Sequence, residues 1–193
     1  MSTVRDTFDV AFDRIVTALT DYATAEAAID SGRNFEVIAD NYRRIGQLGN
    51  GAYVLVYLGP VSVDTGSSGS GVYYQQSAEY YLDCVTKGAA SSGKTSAEQA
   101  NVRLRYLITQ ALRATHDPDN WSLGFNDNEI QRDGGPRVEP LPPDALQTEG
   151  AIAAARVTFS LTMGWEPTTL TGQALSEIYV DADRWTGLYT IGD

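Results

Sequence analysis

At 193 residues the chain has the length of one domain with appendages, and it is long enough to bury a real core. An apolar content of 42% excludes overall disorder, no apolar run has the length of a membrane-spanning helix, and a single cysteine, Cys84, excludes a disulfide framework. Lys and Arg number 14 against 25 Asp and Glu, a net charge of −11, which argues against gripping a phosphate backbone.

Met1–Asp6 has no basic segment followed by an apolar one, so no secretory signal is expected. Thr3 to about Leu19 reads as an amphipathic helix, with Val4, Phe8, Phe12, Ile15 and Leu19 at helical spacing. Ala23 to Ile29 extends it, and Ser31-Gly32 ends it. Phe35 to Tyr42 reads as a short strand in preference to a helical turn. Tyr53 to Leu58 is apolar at every position, as in a strand buried on both faces. Gly59-Pro60 interrupts it, and Val61 and Val63 resume an alternating pattern. Gly66 to Gly71 is a Gly/Ser tip, and Val72 to Val85 returns with Tyr74, Ala78, Tyr80, Leu82 and Cys84 on one side. Two alternating runs joined by such a tip predict a long β-hairpin.

A second helix follows the loop from Lys87 to Thr95. Ser96 and Gln99 are placed as a capping box, and Ala100, Leu104, Leu107, Ile108 and Ala111 form its apolar stripe. His116 to Glu149 is rich in Asp, Asn, Gly and Pro, yet Trp121, Leu123, Phe125 and Ile130 tie it to the body. Val138 begins a short edge strand before the prolines at 140, 142 and 143. In Ala155 to Trp165 the odd positions are apolar and the even ones polar or small, which predicts a strand with one dry and one wet face. The helix around Leu104 and Ile108 is expected to cover the face bearing Phe159, Leu161 and Trp165. The expected fold is therefore α+β: a mainly antiparallel sheet with a long hairpin, packed against two amphipathic helices. Residues 1–166 make the domain, and 167–193 a C-terminal extension or docking arm.

Gly88-Ala89-Ala90-Ser91-Ser92-Gly93-Lys94-Thr95 matches the phosphate-loop pattern G-x-x-x-x-G-K-[ST]. In such a loop Gly88 and Gly93 shape a backbone cradle, Lys94 reaches the phosphates and Thr95 holds Mg²⁺. The competing reading is a Gly/Ser loop that leads into a helix cap, because the preceding run has a half-exposed, antiparallel pattern. His116, the only histidine, lies at a helix end, where it can satisfy the last carbonyls. Cys84 reads as packed rather than nucleophilic. Asp117 to Asn120 and Asn126 to Glu129 read as turn chemistry rather than a calcium loop, and Tyr73, Tyr74, Tyr80 and Tyr81 as cross-strand packing rather than base stacking. No catalytic residue, metal site or cofactor is expected, and the chain reads as a non-enzyme.

The N-terminal helix, the long Gly/Ser-tipped hairpin, Tyr80-Tyr81-Leu82-Asp83-Cys84-Val85, the helix Glu98 to Arg113 and the late strand Ala155 to Trp165 together resemble the tail terminator (tail completion) proteins of tailed bacteriophages. The resemblance covers roughly residues 1–166 as an architecture. It implies a virion subunit, assembled in the host cytoplasm, that forms a homohexameric ring on the tail tube. Such a ring ends tube polymerisation and joins the tail to the neck or head connector, and genome DNA passes through its bore without specific binding. No membrane is involved. Another head–tail neck adaptor, or a small P-loop nucleotide-binding enzyme, is the alternative. Ile178, Tyr179, Val180, Trp185, Leu188 and Tyr189 give the arm the composition of an intersubunit or neck contact; the alternative is an arm that folds back and caps its own domain.

Overall fold

The computed structural model describes residues 7–39, 48–49, 51–68, 71–88, 95–125, 131–132, 134–141, 152–165, 177–179 and 188–190. At 64–68, 71–75, 119, 163–165, 177–179 and 188–190 the backbone alone is described. Helix α1 spans Thr7–Ile29 and helix α2 Ser96–His116. The strands are β1 (Glu36–Ala39), β2 (Ala52–Ser68), β3 (Gly71–Lys87), β4 (Gln131–Arg132), β5 (Arg137–Pro140), β6 (Ile152–Trp165), β7 (Glu177–Tyr179) and β8 (Leu188–Thr190).

Six strands form one sheet in the order β1-β2-β3-β6-β4, with β5 also pairing with β6. Only β1–β2 is parallel; the other pairs in this sheet are antiparallel. The fold is thus the expected α+β arrangement of two helices on a mostly antiparallel sheet. The strand expected within Phe35 to Tyr42 is β1, and the edge strand expected at Val138 is β5. β4 and β5 lie along the same edge of β6, opposite residues 161–162 and 155–158 respectively.

The helices cover one face of the sheet. Phe8, Ile15 and Leu19 of α1 and Leu104, Leu107 and Ala111 of α2 are buried against Val54, Tyr80, Leu82, Phe159 and Leu161. The Tyr80 ring stacks on Phe159 at a centroid distance of 5.7 Å, and its hydroxyl donates to the Phe8 carbonyl at 2.9 Å. Thr86 Oγ1 donates to the Ala100 carbonyl at 2.8 Å, pinning β3 to α2. These contacts match the dry face expected for β6. The side chain of Trp165 lies outside the described residues.

The other face departs from the expected wet surface. Ile38, Leu48, Tyr53, Leu55, Val85 and Ala154 form a second, smaller buried cluster there. Thr158 and Thr162 are also buried. Loop residues Leu48 and Leu141 help to cover this face, which is why alternation within β6 alone does not reveal it.

A register shift separates Leu58 from Val61 in the β2–β3 pairing, at Gly59-Pro60. The Tyr81 ring lies so close to Gly59 that a Cβ there would stand 2.6 Å from its Cε2. Beyond the shift the hairpin runs on to Ser68↔Gly71, and β6 stays paired with β3 as far as Tyr74↔Trp165. Val61 pairs with Ala78 and Val63 with Gln76, on the helix-covered side of the sheet, yet Val61 is 49% and Val63 55% exposed. The sheet therefore reaches past its helices.

Candidate functional site

The residues of the phosphate-loop pattern sit between β3 and α2. β3 runs antiparallel to both of its neighbours, β2 and β6, whereas a phosphate loop ends a buried strand of a parallel sheet. Gly88 has a structural reason of its own: a Cβ there would overlap the carbonyl oxygen of Ser96 in the first turn of α2. Thr95 is the N-cap. Its Oγ1 accepts from the Glu98 N–H at 3.3 Å, and the Glu98 carboxylate accepts from the Thr95 N–H at 2.8 Å. The capping box is therefore Thr95/Glu98, one residue before the expected Ser96/Gln99. The anionic Glu98 explains the shift, since a carboxylate is a stronger acceptor than an amide and favours the positive end of the helix dipole. The same carboxylate accepts from Thr95 Oγ1 at 2.9 Å, so the hydroxyl is already engaged. Gly93 and Lys94 lie outside the described residues.

At the other end of α2 is a cluster that the local sequence did not reveal. The Thr115 hydroxyl donates to the Ala111 carbonyl at 2.8 Å and lies 2.8 Å from His116 Nδ1. Arg132, on β4, places Nη1 3.1 Å from His116 Nε2. A guanidinium can only donate, so Nε2 accepts and Nδ1 carries the proton towards Thr115. Arg132 also donates to the carbonyls of Thr115 at 2.5 Å and Trp121 at 2.9 Å. Its charge lies over the rings of Trp121 and Phe159, 4.8 and 5.3 Å from their centroids. Burial, with the nearby Arg132 charge, lowers the His116 pKa to about 4. Burial brings Arg132 down to about 10. The expected role for His116 is corrected accordingly. Arg132 satisfies the Thr115 carbonyl, Asn120 Nδ2 that of Ala114 and the Asp117 N–H that of Arg113, while the imidazole orients the arginine.

On the second sheet face, Asp83 and Arg156 are cross-strand partners in register. Arg156 donates from Nε at 2.7 Å and from Nη2 at 2.8 Å to the two oxygens of Asp83. The guanidinium lies 4.8 Å from the centroid of the Tyr81 ring. The Tyr81 hydroxyl donates to Glu79 at 2.5 Å, and that bond raises the tyrosine pKa. This is a structural ion pair with an aromatic lid.

Cys84 is packed in the core, where burial pushes its pKa to about 12, as suits an inert thiol. Among the described residues no group of His, Cys, Asp and Glu could hold a metal ion. Pro118–Asn120 forms a short 3₁₀ turn after α2, while 126–130 lies outside the described residues. Of the tyrosines considered for stacking, Tyr80 packs in the core and Tyr81 lies against Gly59 and Arg156; the side chains of Tyr73 and Tyr74 are not described.

The arm residues fall partly in a second, two-stranded sheet. β7 and β8 are antiparallel, with Ile178 opposite Tyr189 and Tyr179 opposite Leu188. They pair with each other, and among the described residues neither pairs with the six-stranded sheet. Val180 and Trp185 lie outside the described residues. No helix among the described residues is long and apolar enough to cross a membrane. Comparison with family models and with curated proteins finds no match.

Proposed function

We propose that this chain is a structural subunit of a tailed phage particle that assembles as a ring, a hexamer by its resemblance to tail terminators. In this reading the ring caps the tail tube, ends its polymerisation and meets the neck or head connector. The observation that carries the proposal is the hairpin. β2 and β3 each run 17 residues, well beyond an ordinary strand. The exposed Val61 and Val63 lie on the helix-covered side, beyond the helices themselves. A long paired arm with exposed apolar groups suits contact with another subunit more than it serves the core of its own.

The C-terminal β7–β8 pair is a second contact element in this reading, with Ile178, Tyr179, Leu188 and Tyr189 as its apolar members; Val180 and Trp185, which lie outside the described residues, add to the apolar composition of the segment. The net charge of −11 suits a ring traversed by DNA, because carboxylates facing the bore repel phosphates and limit adhesion. The polar clusters described above orient helix and strand ends, and the proposal gives them no catalytic part.

The test is tube growth. Tail tube protein is polymerised with and without this chain, and tube length is measured. Substoichiometric arrest by the wild type, lost in Val61→Asp/Val63→Asp and in a chain ending at residue 167, is the expected result. Unchanged tube lengths would contradict the reading. Mg-ATP hydrolysis abolished by Lys94→Ala would favour the nucleotide enzyme instead.

A further inference from the structure

The helix-covered side of the sheet continues past the helices. In the row Val61–Ala78–Leu161, Ala78 and Leu161 are wholly buried, while Val61 on the outer strand is 49% exposed. The next row towards the hairpin tip is Val63–Gln76–Met163, with Val63 55% exposed, and the row after it is Thr65–Tyr74–Trp165. Alternate residues of a strand share a face, so the register puts these three rows on one side of the sheet. The opposite side of the same stretch is polar: the hydroxyls of Ser62 and Ser77, a cross-strand pair, bond to each other at 2.7 Å. The distal sheet thus has a single apolar face, and the helices of its own chain stop short of it.

The C-terminal segment has the complementary need. β7 and β8 are three residues each and, among the described residues, pair only with each other. A lone two-stranded pair is marginal in water and gains stability by lying on an apolar surface. Ile178 and Tyr189 are directly opposite in the register and so share one face of the pair, whereas Glu177, Tyr179, Leu188 and Thr190 share the other. The Ile178–Tyr189 face is the one without a carboxylate. The chain also leaves the large sheet at a suitable place. β6 ends at Trp165, in the last of the three rows, and the stretch 166–176 that leads to β7 can span about 40 Å at most. With its own β7–β8 pair present, the chain nevertheless leaves Val61 and Val63 exposed.

We infer that the distal apolar face of one copy's sheet receives the β7–β8 pair of a neighbouring copy, with the Ile178–Tyr189 face of that pair towards Val61 and Val63. The inference rests on the ring reading and names the surface that takes the arm. Arm and face are different surfaces of one chain, so the contact is head-to-tail, and it closes into a ring when the rotation per subunit permits. Packing the small sheet on the large one sets their backbones about 10 Å apart.

The test is cross-linking of full-length chains through single introduced cysteines. Cys84 gives a silent background, because it is wholly buried and burial pushes its pKa up to about 12. Val63→Cys and Ile178→Cys chains are co-expressed and treated with a bis-maleimide whose reach matches the about 10 Å between packed sheets. The expected product is a covalent pair at twice the 20.9 kDa of one chain, and the double variant should give a ladder of higher multiples. Glu177→Cys in place of Ile178→Cys puts the thiol on the far face of the β7–β8 pair, and the product should be lost. Val63 is exposed and β7 lies outside the six-stranded sheet, so the melting temperature of each variant should match the wild type. Product from Val63→Cys alone would mean that hairpins meet each other, and equal product from Glu177→Cys would mean that the pair has no preferred face; either overturns the inference. So does a double variant that consumes both thiols at the mass of one chain, which would place the arm on its own sheet. If the wild type sediments as an oligomer and no cross-link forms, the inference falls and the ring reading stands. A wild type that stays at the mass of one chain at every concentration overturns both.

Discussion

The Asp83–Arg156 pair makes an asymmetric prediction. Asp83 has 7% of its side chain exposed and Arg156 has 37%. Removing Arg156 strands a carboxylate in a site that water barely reaches, and breaking a buried pair from that side costs about 3–5 kcal/mol. Removing Asp83 leaves a guanidinium that can rehydrate through its exposed edge and keep its contact with Tyr81 at 4.8 Å. That loss should be about 1–2 kcal/mol, close to a charge-assisted hydrogen bond and no more. The double variant removes the stranded charge together with its partner, so it should be less destabilised than Arg156→Ala alone. The assay is urea unfolding of Asp83→Ala, Arg156→Ala and the double variant, in a preparation shown to be monomeric. Equal single losses, or a greater loss for Asp83→Ala, would refute the argument that burial of the carboxylate dominates. Strict additivity would show that the two groups do not act as a pair.

Leu161→Ala should cost about 2–5 kcal/mol, because Leu161 is wholly buried between the sheet and its helices; a loss within about 0.5 kcal/mol would place it on the surface. Thr95→Ala should cost about 1 kcal/mol through loss of the N-cap, read from the melting temperature, and Mg-ATP should not shift the melting temperature of the wild type. His116 is neutral in the folded protein down to about pH 4, against an ordinary value of 6.5. The unfolded chain therefore binds the extra proton first, and the stability present above pH 6.5 is lost as pH falls towards 4. Among the described residues, Arg132, Thr115, Trp121 and Phe159 contact the ring, and none of these supplies a negative charge to hold the proton. With solvent screening the loss is about 1–2 kcal/mol, and His116→Asn should flatten that part of the pH profile. An unchanged slope in the variant would assign the acid sensitivity to other groups.

The fold was legible where its signal is local. The alternation in β6, the Gly/Ser tip between β2 and β3 and the apolar stripe of α2 each follow from neighbouring residues. The capping box was displaced by one residue because Thr95 and Ser96 both satisfy the pattern, and the choice depends on the charge of Glu98 against the neutrality of Gln99. The second buried face was hidden because Leu48 and Leu141, which help to cover it, come from loops distant in sequence. Asp83 and Arg156 looked like wet-face charges for the same reason. They are 73 residues apart, and only the β3–β6 register brings them together. The His116–Arg132 cluster depends on β4, a strand of two residues whose sequence carries no periodic signal. One clue was available: Arg132 is one of two arginines, with Arg137, in a loop rich in Asp, Asn, Gly and Pro that follows a helix end in need of a donor.

The most direct measurement of the proposed role is electron microscopy of purified tail tubes incubated with the protein. The account predicts an annulus, built from several copies of the 20.9 kDa chain, seated on one end of each tube, with an opening that admits duplex DNA. Tubes with bare ends beside dispersed single chains would contradict it.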